Sequence, residues 1–478
     1  MAGLGKRRPA RPRSGVSGLQ QRRREAPASP PGDDEGAILT IQGLAHDGRG
    51  VARTAAGKTV FVDGALPGER VEVAVHRTRQ RYDEAHVRTL VEASPERVSP
   101  PCAHFARCGG CDLQHLSIDG QRRHKQAVLR ELLARQAIAP AGEPELLADA
   151  GEGYRRRARL GVKVDGDGGV HLGFRARHSH RLVDIESCPV LVPSLSALLA
   201  PLRRLVEGLQ APRQVGHLEL LASDAGVTLV VRQLRDQPTD TARWRDFAAT
   251  RGLHLARWVG REAPVFEWLT PRPELASRLR VAAQEVTLCF SPGDFLQANE
   301  AVNQRMVATA LAWLTPLAAG ERVLDLFAGV GNFSLPLAAQ GARVQAVEGS
   351  PAMVARLADN AHRNGLAVEA RQADLTDGAA CRALLAESEA ETVVLDPPRD
   401  GAETACRLLA RHPVPRVLYI SCDPATLARD AASLVRAGYV VSRWAVADMF
   451  AHTAHLESML LLESPHAGQP HQGATTDG

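Results

Sequence analysis

A glycine-rich turn between an apolar strand and a helix constrains the fold of this chain more than any other feature. The stretch RVLDLFAGVGNFSLPLAAQG, residues 322–341, has the pattern of a buried strand, a turn at Gly329 and Gly331, and the start of a helix. Strand-like and helix-like segments alternate from about residue 288 onward. This alternation predicts an α/β, Rossmann-like domain over residues 288–463, with a largely parallel sheet.

Acidic residues after the next two strands favour a nucleotide-like ligand. Glu348 ends the segment ARVQAVE, where a carboxylate can accept hydrogen bonds from both hydroxyls of a ribose, and Asp374 follows a third strand. The full dinucleotide fingerprint is absent, because Ser334 stands where the third glycine would be. S-adenosylmethionine has no pyrophosphate to seat, so the pattern favours this cofactor and a class I methyltransferase domain.

Two further strand ends indicate the chemistry. Asp396-Pro397-Pro398-Arg399 forms a rigid exit from a strand, at the edge where open α/β sheets build their sites. Related turns in amino-methyltransferases carry an aromatic residue where this chain has Arg399, which points away from amine methylation. Cys422 ends the following strand, in VLYISCDPATLARD. It is either a buried small residue or a nucleophile.

A nucleophilic Cys422 would suit methylation at C5 of uracil. That carbon is too weakly nucleophilic to take a methyl group unaided, and a thiolate that adds at C6 activates it. The helix predicted after Cys422 is expected to lower the thiol pKa, with Asp423 opposing that effect. A base must then remove the C5 proton. DMFAHTAHLESML offers three candidates, and the residues alone do not choose among His452, His455 and Glu457.

Four cysteines predict a metal site. Cys102, Cys108 and Cys111 have C-x5-C-x2-C spacing, and Cys188, which precedes a proline, is the natural fourth ligand. Four thiolates suit tetrahedral zinc or an iron–sulfur cluster, and the spacing does not separate the two.

The remaining segments favour a nucleic-acid partner. Residues 37–93 have the short, turn-punctuated strands of a small antiparallel OB-like barrel, and HRTRQR (76–81) is either a phosphate-contacting loop or a solvated hairpin. Within the predicted central domain, 94–287, a DGDGG hairpin lies among clustered arginines that either track a phosphate backbone or pair with Asp184 and Glu186. The arginines concerned are Arg155, Arg156, Arg157, Arg159, Arg175 and Arg177.

Composition sets the outer limits. The formal charge of +4 is modest, but residues 1–36 combine basic clusters with Pro, Gly and Ser and predict a disordered basic tail, as residues 464–478 predict a disordered C-terminal tail. No apolar run approaches a membrane span, and no signal-peptide segment is present, so a cytoplasmic protein is expected. In a reducing compartment its eight cysteines are expected to be ligands, nucleophiles or buried thiols.

An ordered set of features runs along the chain: the barrel, C-x5-C-G-G-C with a distant C-P, FLQAN, LDLFAGVGNF, LDPPR, SCDP and HTAHLE. In these features the chain resembles the bacterial RNA 5-methyluridine methyltransferases of the iron–sulfur-containing 23S ribosomal RNA type. The resemblance spans about residues 37–463. It departs from the family's pattern at Ala328, where relatives often carry cysteine, and at Ala451, where proline is common.

The resemblance implies a TRAM-type barrel, 23S ribosomal RNA as partner, and a monomer. It implies a [4Fe-4S] cluster on Cys102, Cys108, Cys111 and Cys188, which decides against zinc. It further implies Cys422 as nucleophile and Glu457 as proton acceptor, with the histidines in support. The S-adenosylmethionine contacts it implies are Gln297, Phe327, Asn332, Glu348 and Asp396, with Asp374 matching less securely. The alternatives are a transfer-RNA 5-methyluridine methyltransferase and a non-enzymatic RNA-binding or assembly factor.

Overall fold

The computed structural model describes residues 38–177 and 179–465. The predicted basic tail over residues 1–36, and the predicted C-terminal tail from residue 466 on, lie outside these ranges. Within the described ranges, no helix is both long and apolar enough to cross a membrane.

The first unit is a small barrel. Its sheet has the strand order β1-β5-β6-β4-β3-β2 around a core that includes Ile41, Val60, Val62 and Val73. The pairs are antiparallel as predicted, except that β4 and β6 run parallel, because β5 forms a hairpin with β6 and lies on its other side. The strands are β1 (Ile38–Thr40), β2 (Gly43–Leu44), β3 (Gly50–Arg53), β4 (Thr59–Asp63), β5 (Arg70–Thr78) and β6 (Tyr82–Glu92).

The central region contains a seven-stranded sheet with the order β10-β9-β8-β11-β12-β13-β14. The predicted DGDGG hairpin joins β8 and β9. One face of the sheet packs on helices through buried side chains such as Leu218, Leu255 and Trp244. The elements are α1 (Ile118–Arg135), β7 (Glu145–Leu147), β8 (Arg157–Val164), β9 (Val170–Arg175), β10 (Leu182–Asp184), α2 (Pro193–Ser196), α3 (Leu199–Glu207), a 3-10 turn (Pro212–Gln214), β11 (Val215–Ser223), β12 (Gly226–Gln233), α4 (Pro238–Arg251), β13 (His254–Val259) and β14 (Val265–Trp268).

The third unit is an α/β domain with an eight-stranded sheet of order β19-β18-β17-β20-β21-β23-β22-β7. The five strands from β19 to β21 in this order are parallel, and β23 runs antiparallel to β21. The elements are β15 (Ala276–Val281), β16 (Gln284–Cys289), α5 (Glu300–Leu314), β17 (Arg322–Leu326), α6 (Ser334–Ala339), β18 (Arg343–Glu348), α7 (Pro351–Arg363), β19 (Val368–Gln372), α8 (Gly378–Ser388), β20 (Thr392–Leu395), α9 (Glu403–Arg411), β21 (Arg416–Ser421), α10 (Pro424–Arg436), β22 (Val440–Ala447) and β23 (Glu457–Glu463).

The central region and the α/β domain share elements. Strand β7 extends the α/β sheet by pairing with β22, and α1 packs Val128, Leu129 and Leu133 into the same core as Leu427 and Tyr439. This packing fixes α1 next to the segment between β22 and β23, which carries His452 and His455 and leads to Glu457 at the start of β23.

Candidate active site

The turn after β17 is built for close approach by a ligand. Phe327 has a positive φ of 66°, and Gly331 has a φ of 103°. A Cβ on Gly331 would lie 1.8 Å from Leu335 Cδ1, so only glycine fits beneath the first turn of α6. The clash is with buried side chains of α6 and α7, so Gly331 is required for packing, while Gly329 and Val330 of the same turn line the cleft described below.

Glu348 is fixed at the edge of this turn. Its Oε2 accepts a hydrogen bond from the Gly329 amide at 3.1 Å, and its Oε1 accepts one from the Ser350 amide at 2.9 Å. Each carboxylate oxygen retains a lone pair. The carboxylate is thus held in place and can still accept hydrogen bonds from a diol.

Two asparagine side chains, Asn303 and Asn332, hold the other side of the turn, and Asn303 was not identified from the sequence. Asn332 Nδ2 donates to Asn303 Oδ1 at 3.0 Å, and Asn303 Nδ2 donates to Asn332 Oδ1 at 2.8 Å. Asn303 lies one turn into α5, after Asn299, which caps that helix through the Val302 amide. The spacing of the two asparagines in FLQANEAVN is the signal that could have identified Asn303, because residues four apart share a helix face.

A cleft of about 820 Å³ opens along the carboxyl edge of the sheet, at the end of β17, β18, β19, β20 and β21. All eight residues predicted as catalytic or cofactor-binding line it: Gln297, Phe327, Asn332, Glu348, Asp374, Asp396, Cys422 and Glu457. Asp374 is the most exposed of the acidic groups, and its Oδ1 accepts from the Thr376 amide and hydroxyl at 2.9 and 2.6 Å. Arg156 and Arg399 add positive charge to the cleft.

The sheet brings Cys422 and Glu457 to the same edge. Ser421 ends β21 and pairs directly with Ser458, so Cys422 and Glu457 are the next residues on two adjacent antiparallel strands. Of the three predicted candidates for the base, only Glu457 lines the cleft. The His452 backbone and ring instead bond to Gln121, outside the cleft.

A buried carboxyl group, Glu457, and a half-buried one, Asp396, share the cleft with the thiol. Burial raises the pKa of Glu457 well above its ordinary value, the charge of Asp396 raises it further, and Arg399 lowers it. Burial also raises the pKa of Asp396 to about 7, with a further rise from Asp325. Carboxyl groups with raised pKa values are effective proton acceptors near neutral pH.

The expected lowering of the Cys422 pKa is wrong. Burial raises the pKa of the thiol to about 11, the charges of Glu457 and Asp396 raise it further, and Arg399 opposes them. The physical reason is burial of the thiol beside these carboxyl groups. In addition, Asp423 Oδ1 caps α10 by accepting from the amides of Ala425 and Thr426, at 3.0 and 3.1 Å. The free amides that would have stabilised a thiolate are already used.

This raised pKa predicts how the free enzyme responds to pH. Alkylation of Cys422 by iodoacetamide requires the thiolate, so its rate should rise about tenfold per pH unit toward pH 11. An unperturbed thiol would level off near its ordinary pKa of about 8.5. Mass spectrometry of the Cys422 peptide measures the rate, and the Arg399→Gln variant should shift the curve to higher pH. A plateau below pH 9 would contradict the prediction.

The segment before Glu457 is clamped by α1 and the cysteine-rich segment. Gln121 Oε1 accepts from the His452 amide at 2.8 Å, and the His452 carbonyl accepts from the amides of Asp112 and Leu113, each at 2.9 Å. Tyr154 donates its hydroxyl to the Ala451 carbonyl at 3.0 Å. His452 itself has a positive φ of 67°, so these bonds hold a backbone conformation that a histidine rarely adopts.

A fully buried ion pair supports the same segment. Lys125 Nζ, on α1, lies 2.6 Å from Asp448 Oδ1 and donates to the Phe450 carbonyl at 2.9 Å. Arg122 adds a second contact to Asp448 at 3.3 Å. The pair therefore ties the central region to the chain that leads to Glu457.

Lys125→Met is expected to lower the free energy of unfolding by about 3 kcal/mol, because it leaves the buried Asp448 carboxylate with only Arg122. Urea denaturation measures the change. The matched control is Lys163→Met, which breaks the exposed pair between Lys163 and Asp165 and should leave the free energy of unfolding almost unchanged. Equal costs for the two variants would contradict a special role for the buried pair.

The four predicted metal ligands lie near enough to one another for their charges to interact, but within the described ranges they do not form a metal-binding group. Burial raises the pKa of the Cys111 thiol to about 12, and the charges of Cys188, Cys108 and Cys102 raise it further. Cys108 and Cys188 have raised pKa values, first through burial and then in part through the charge of Cys102. No group of three or more His, Cys, Asp or Glu side chains is arranged to hold a metal ion in residues 38–177 and 179–465.

Some arginines of the predicted RNA-contacting cluster form ion pairs within the protein, and others remain exposed. Arg156 pairs with Glu300 at 2.5 Å, Arg157 with Glu219 at 2.6 Å and Arg177 with Asp112 at 3.6 Å, so three of the six predicted RNA-contacting arginines bind carboxylates. The partners proposed for such pairing, Asp184 and Glu186, are instead bound by Arg203. Arg159 remains exposed on the same strand as Arg157.

The fold and the cleft define a class: an α/β methyltransferase of the S-adenosylmethionine-dependent type, with an N-terminal TRAM domain. The TRAM model matches residues 39–87, and the model described as tRNA (Uracil-5-)-methyltransferase matches residues 118–465. The chain belongs to this uracil-5-methyltransferase family.

Individual relatives extend the comparison. The chain is 68% identical to the protein of Halomonas elongata named 23S rRNA (uracil(1939)-C(5))-methyltransferase RlmD, over 100% of both chains. It is 57% identical to the protein of the same name from Chromohalobacter salexigens, over 97% of this chain and 96% of that one. Among solved structures, the Pyrococcus abyssi tRNA (uracil-54, C5)-methyltransferase in complex with S-adenosyl-L-homocysteine has the same fold, with a TM-score of 0.69 and 24% identity, over 89% of this chain and 100% of that one.

Proposed function

We propose that this protein transfers a methyl group from S-adenosylmethionine to C5 of a uridine in 23S ribosomal RNA, the uridine at position 1939 that its relatives' names specify. The observation that carries the chemistry is the convergence of Cys422 and Glu457, from adjacent strands, on the cleft that also contains the glycine turn and Glu348. The identity of 68% over the full chain supports the choice of RNA.

In the proposed reaction, ionised Cys422 adds through Sγ to C6 of the uracil ring. The π electrons of the C5–C6 bond move toward O4, and the resulting enolate makes C5 nucleophilic. C5 then forms a bond to the methyl carbon as the bond from that carbon to the cofactor sulfur breaks, which leaves S-adenosylhomocysteine. Both C5 and C6 must be reached, so the uridine has to leave its stack.

Glu457 completes the cycle in this proposal. Its carboxylate takes the proton from C5, the electrons of the C5–H bond re-form the C5–C6 double bond, and the C6–S bond breaks to return the Cys422 thiolate. The proton on Glu457 then passes to solvent. The raised pKa of Glu457 supports this role, because a buried carboxylate that is costly to keep charged readily accepts a proton.

The other cleft residues hold the cofactor in this proposal. Glu348 accepts hydrogen bonds from the ribose hydroxyls, the Gly329–Gly331 turn accommodates the amino-acid portion, and Asn332 is oriented for contact by Asn303. The remaining proposed contacts are Gln297, Phe327, Asp374 and Asp396. S-adenosylmethionine supplies a methyl group activated by its sulfonium.

The test is transfer of tritiated methyl from S-adenosylmethionine to total RNA from cells that lack this gene, followed by size fractionation and digestion to nucleosides. We expect label in 5-methyluridine from 23S RNA, and a 23S RNA with uridine 1939 replaced by cytidine should stay unlabelled. Label in transfer RNA would instead support the substrate named by the family model. RNA binding without any label would support a non-enzymatic RNA-binding or assembly role.

We also propose that Cys102, Cys108, Cys111 and Cys188 hold a [4Fe-4S] cluster. The observation that supports it is that the four thiols lie close enough for their charges to affect one another. Bound iron would stabilise each of them as a thiolate. A cluster spreads its four ligands over four irons, whereas a single zinc ion requires them to converge on one point. The clamp on His452 lies immediately next to this segment, so the cluster would support the shape of the catalytic loop.

Anaerobic purification is expected to yield a brown protein with about four irons and four sulfides per chain. Cys188→Ser should lose most of the iron, because three ligands remain. The control Cys289→Ser, which changes a cysteine outside the proposed ligand set, should keep the full content. Iron and sulfide analysis measures both, and a colourless protein that binds one zinc ion would contradict the cluster.

A further inference from the structure

Helices pack on one face of the central sheet, and on the other face a row of side chains is partly exposed. Residues that pair directly across a sheet share a face. His217, Arg232, Trp258 and Phe266 pair in that order across β11, β12, β13 and β14, and so form a single row. Their neighbours Leu218, Val231 and Leu255 belong to the buried core, which places the row on the opposite, open face.

Aromatic rings occupy one end of this row. The ring centroids of Trp258 and Phe266 are 4.9 Å apart, and those of Phe266 and Trp268 are 5.7 Å apart. All three side chains are partly exposed. The rings are inclined to one another, by 54° between Trp258 and Phe266 and by 86° between Phe266 and Trp268, so a base would stack on the face of a single ring.

Cationic side chains occupy the other end. Arg232 donates to the carbonyls of Gln233, Trp258 and Arg261, and Arg159 lies 3.4 Å from His217 Nδ1. In the described part of the chain, neither arginine forms an ion pair with a carboxylate.

The histidine between the two arginines stays neutral near physiological pH. Burial lowers the pKa of His217 to about 4, and both arginines lower it further. The one carboxylate in the neighbouring row on this face, Glu219, is bound by Arg157. The open face is therefore positively charged, with arginine charge that the protein itself does not neutralise.

The open face leads into the catalytic cleft. Arg157, on the same face of β8 as Arg159, donates to the Asp294 carbonyl at 2.6 Å, next to the cleft residue Phe295. Trp268 packs in a cluster with Phe290 and Leu296, which also line the cleft. A chain bound along the row could thus continue directly to Cys422.

We propose that this open face, defined by Arg159, His217, Arg232, Trp258 and Phe266, binds a single-stranded stretch of RNA that flanks the target uridine. A base stacks on the ring of Trp258 or of Phe266, and phosphates contact the guanidinium groups of Arg159 and Arg232. The inference rests on the proposed RNA substrate, but it concerns binding and does not depend on methyl transfer.

The test is binding of a fluorescein-labelled 12-nucleotide oligouridine to the full-length protein, measured by anisotropy over a range of salt concentrations. Trp258→Ala should weaken binding by a factor of roughly 5 to 150, as for one stacked base, without changing the salt dependence. Arg232→Gln should reduce the slope of log K against log salt by about 0.7. Phe266→Leu keeps an apolar side chain and should weaken binding through loss of the ring.

The controls lie on the other side of the same sheet, on α4. Arg245→Gln removes an exposed arginine and Phe247→Leu removes a partly exposed ring, and both should leave binding unchanged. Thermal unfolding and S-adenosylmethionine binding of every variant show whether the fold is retained. A second readout is kinetic: Trp258→Ala should raise KM for 23S RNA, with little change in kcat.

The outcomes separate this inference from the proposed reaction. Weaker oligouridine binding by the open-face variants would support the inference even if no methyl transfer were found. Methyl transfer with wild-type KM and wild-type oligouridine binding in all three variants would overturn it. Failure of the wild-type protein to bind oligouridine would also overturn it, as would a dimer that Trp258→Ala converts to a monomer with unchanged RNA affinity.

Discussion

Replacement of Cys422 with alanine is expected to lower the rate of methyl transfer by at least about 10⁴-fold, the scale of loss seen when a covalent nucleophile is removed. Without the thiolate, C6 has no adduct and C5 remains too weak a nucleophile to take the methyl group. Transfer of tritiated methyl to 23S RNA measures the rate. The effect should appear in kcat, because the side chain acts on the reacting ring.

The control for this substitution is Cys289→Ala, because Cys289 is also a free, partly exposed cysteine of the same domain and does not line the cleft. This variant should retain turnover close to that of the wild type. Cys422→Ala should still bind S-adenosylmethionine, which separates loss of chemistry from loss of fold. Turnover within tenfold of the wild type in Cys422→Ala would remove the nucleophile from the proposed mechanism.

The parts of this site that could be predicted from the sequence are those fixed by a few consecutive residues. The glycine turn, Glu348 at the end of a strand and the proline-rich exit at Asp396 each follow from local backbone requirements. Because parallel strands end at one edge of a sheet, the sequence also predicted that the residues at these strand ends meet in one cleft. The cleft contains all eight of the predicted catalytic and cofactor-binding residues.

The parts that could not be predicted depend on contacts between distant segments. The bonds of His452 to Gln121 join residues 331 positions apart, and no local pattern indicates them. The pKa of Cys422 depends on burial and on the charges of Glu457 and Asp396, which other strands bring to the same cleft. The ion-pair partners of the arginines were likewise set by the fold: Glu219 lies directly across the sheet from Arg159, but its side chain pairs with Arg157.

The raised thiol pKa has a consequence for the mechanism. At neutral pH the free protein holds Cys422 almost entirely as the thiol, so the thiolate has to form within the assembled complex. Arg399 is the cleft residue whose charge favours the ionised form, and it stands where an aromatic residue would serve amine methylation. Arg399, which in the sequence argued against amine methylation, therefore supports the thiolate that C5 methylation of uracil needs.

Glu457→Gln is expected to trap a covalent complex between the protein and its RNA. Glutamine has nearly the same shape as glutamate but cannot accept the C5 proton, so addition and methyl transfer should proceed and elimination should stall. Turnover should fall by at least about 10³-fold, with no more than one methyl group transferred per protein molecule. Denaturing gel electrophoresis with labelled RNA detects the adduct.

The double variant Cys422→Ala with Glu457→Gln tests whether the trapped bond is the predicted one. Without the thiol no adduct should form, although RNA and S-adenosylmethionine should still bind. Adduct formation in the double variant would mean that another group attacks the ring. Normal turnover by Glu457→Gln would show that another group acts as the base. Asp396 would then be the first candidate, because it is a carboxyl group that lines the same cleft and its pKa of about 7 suits proton transfer. The two predictions thus depend on each other, because a base that acts on C5 is needed only if a thiolate has first added to C6.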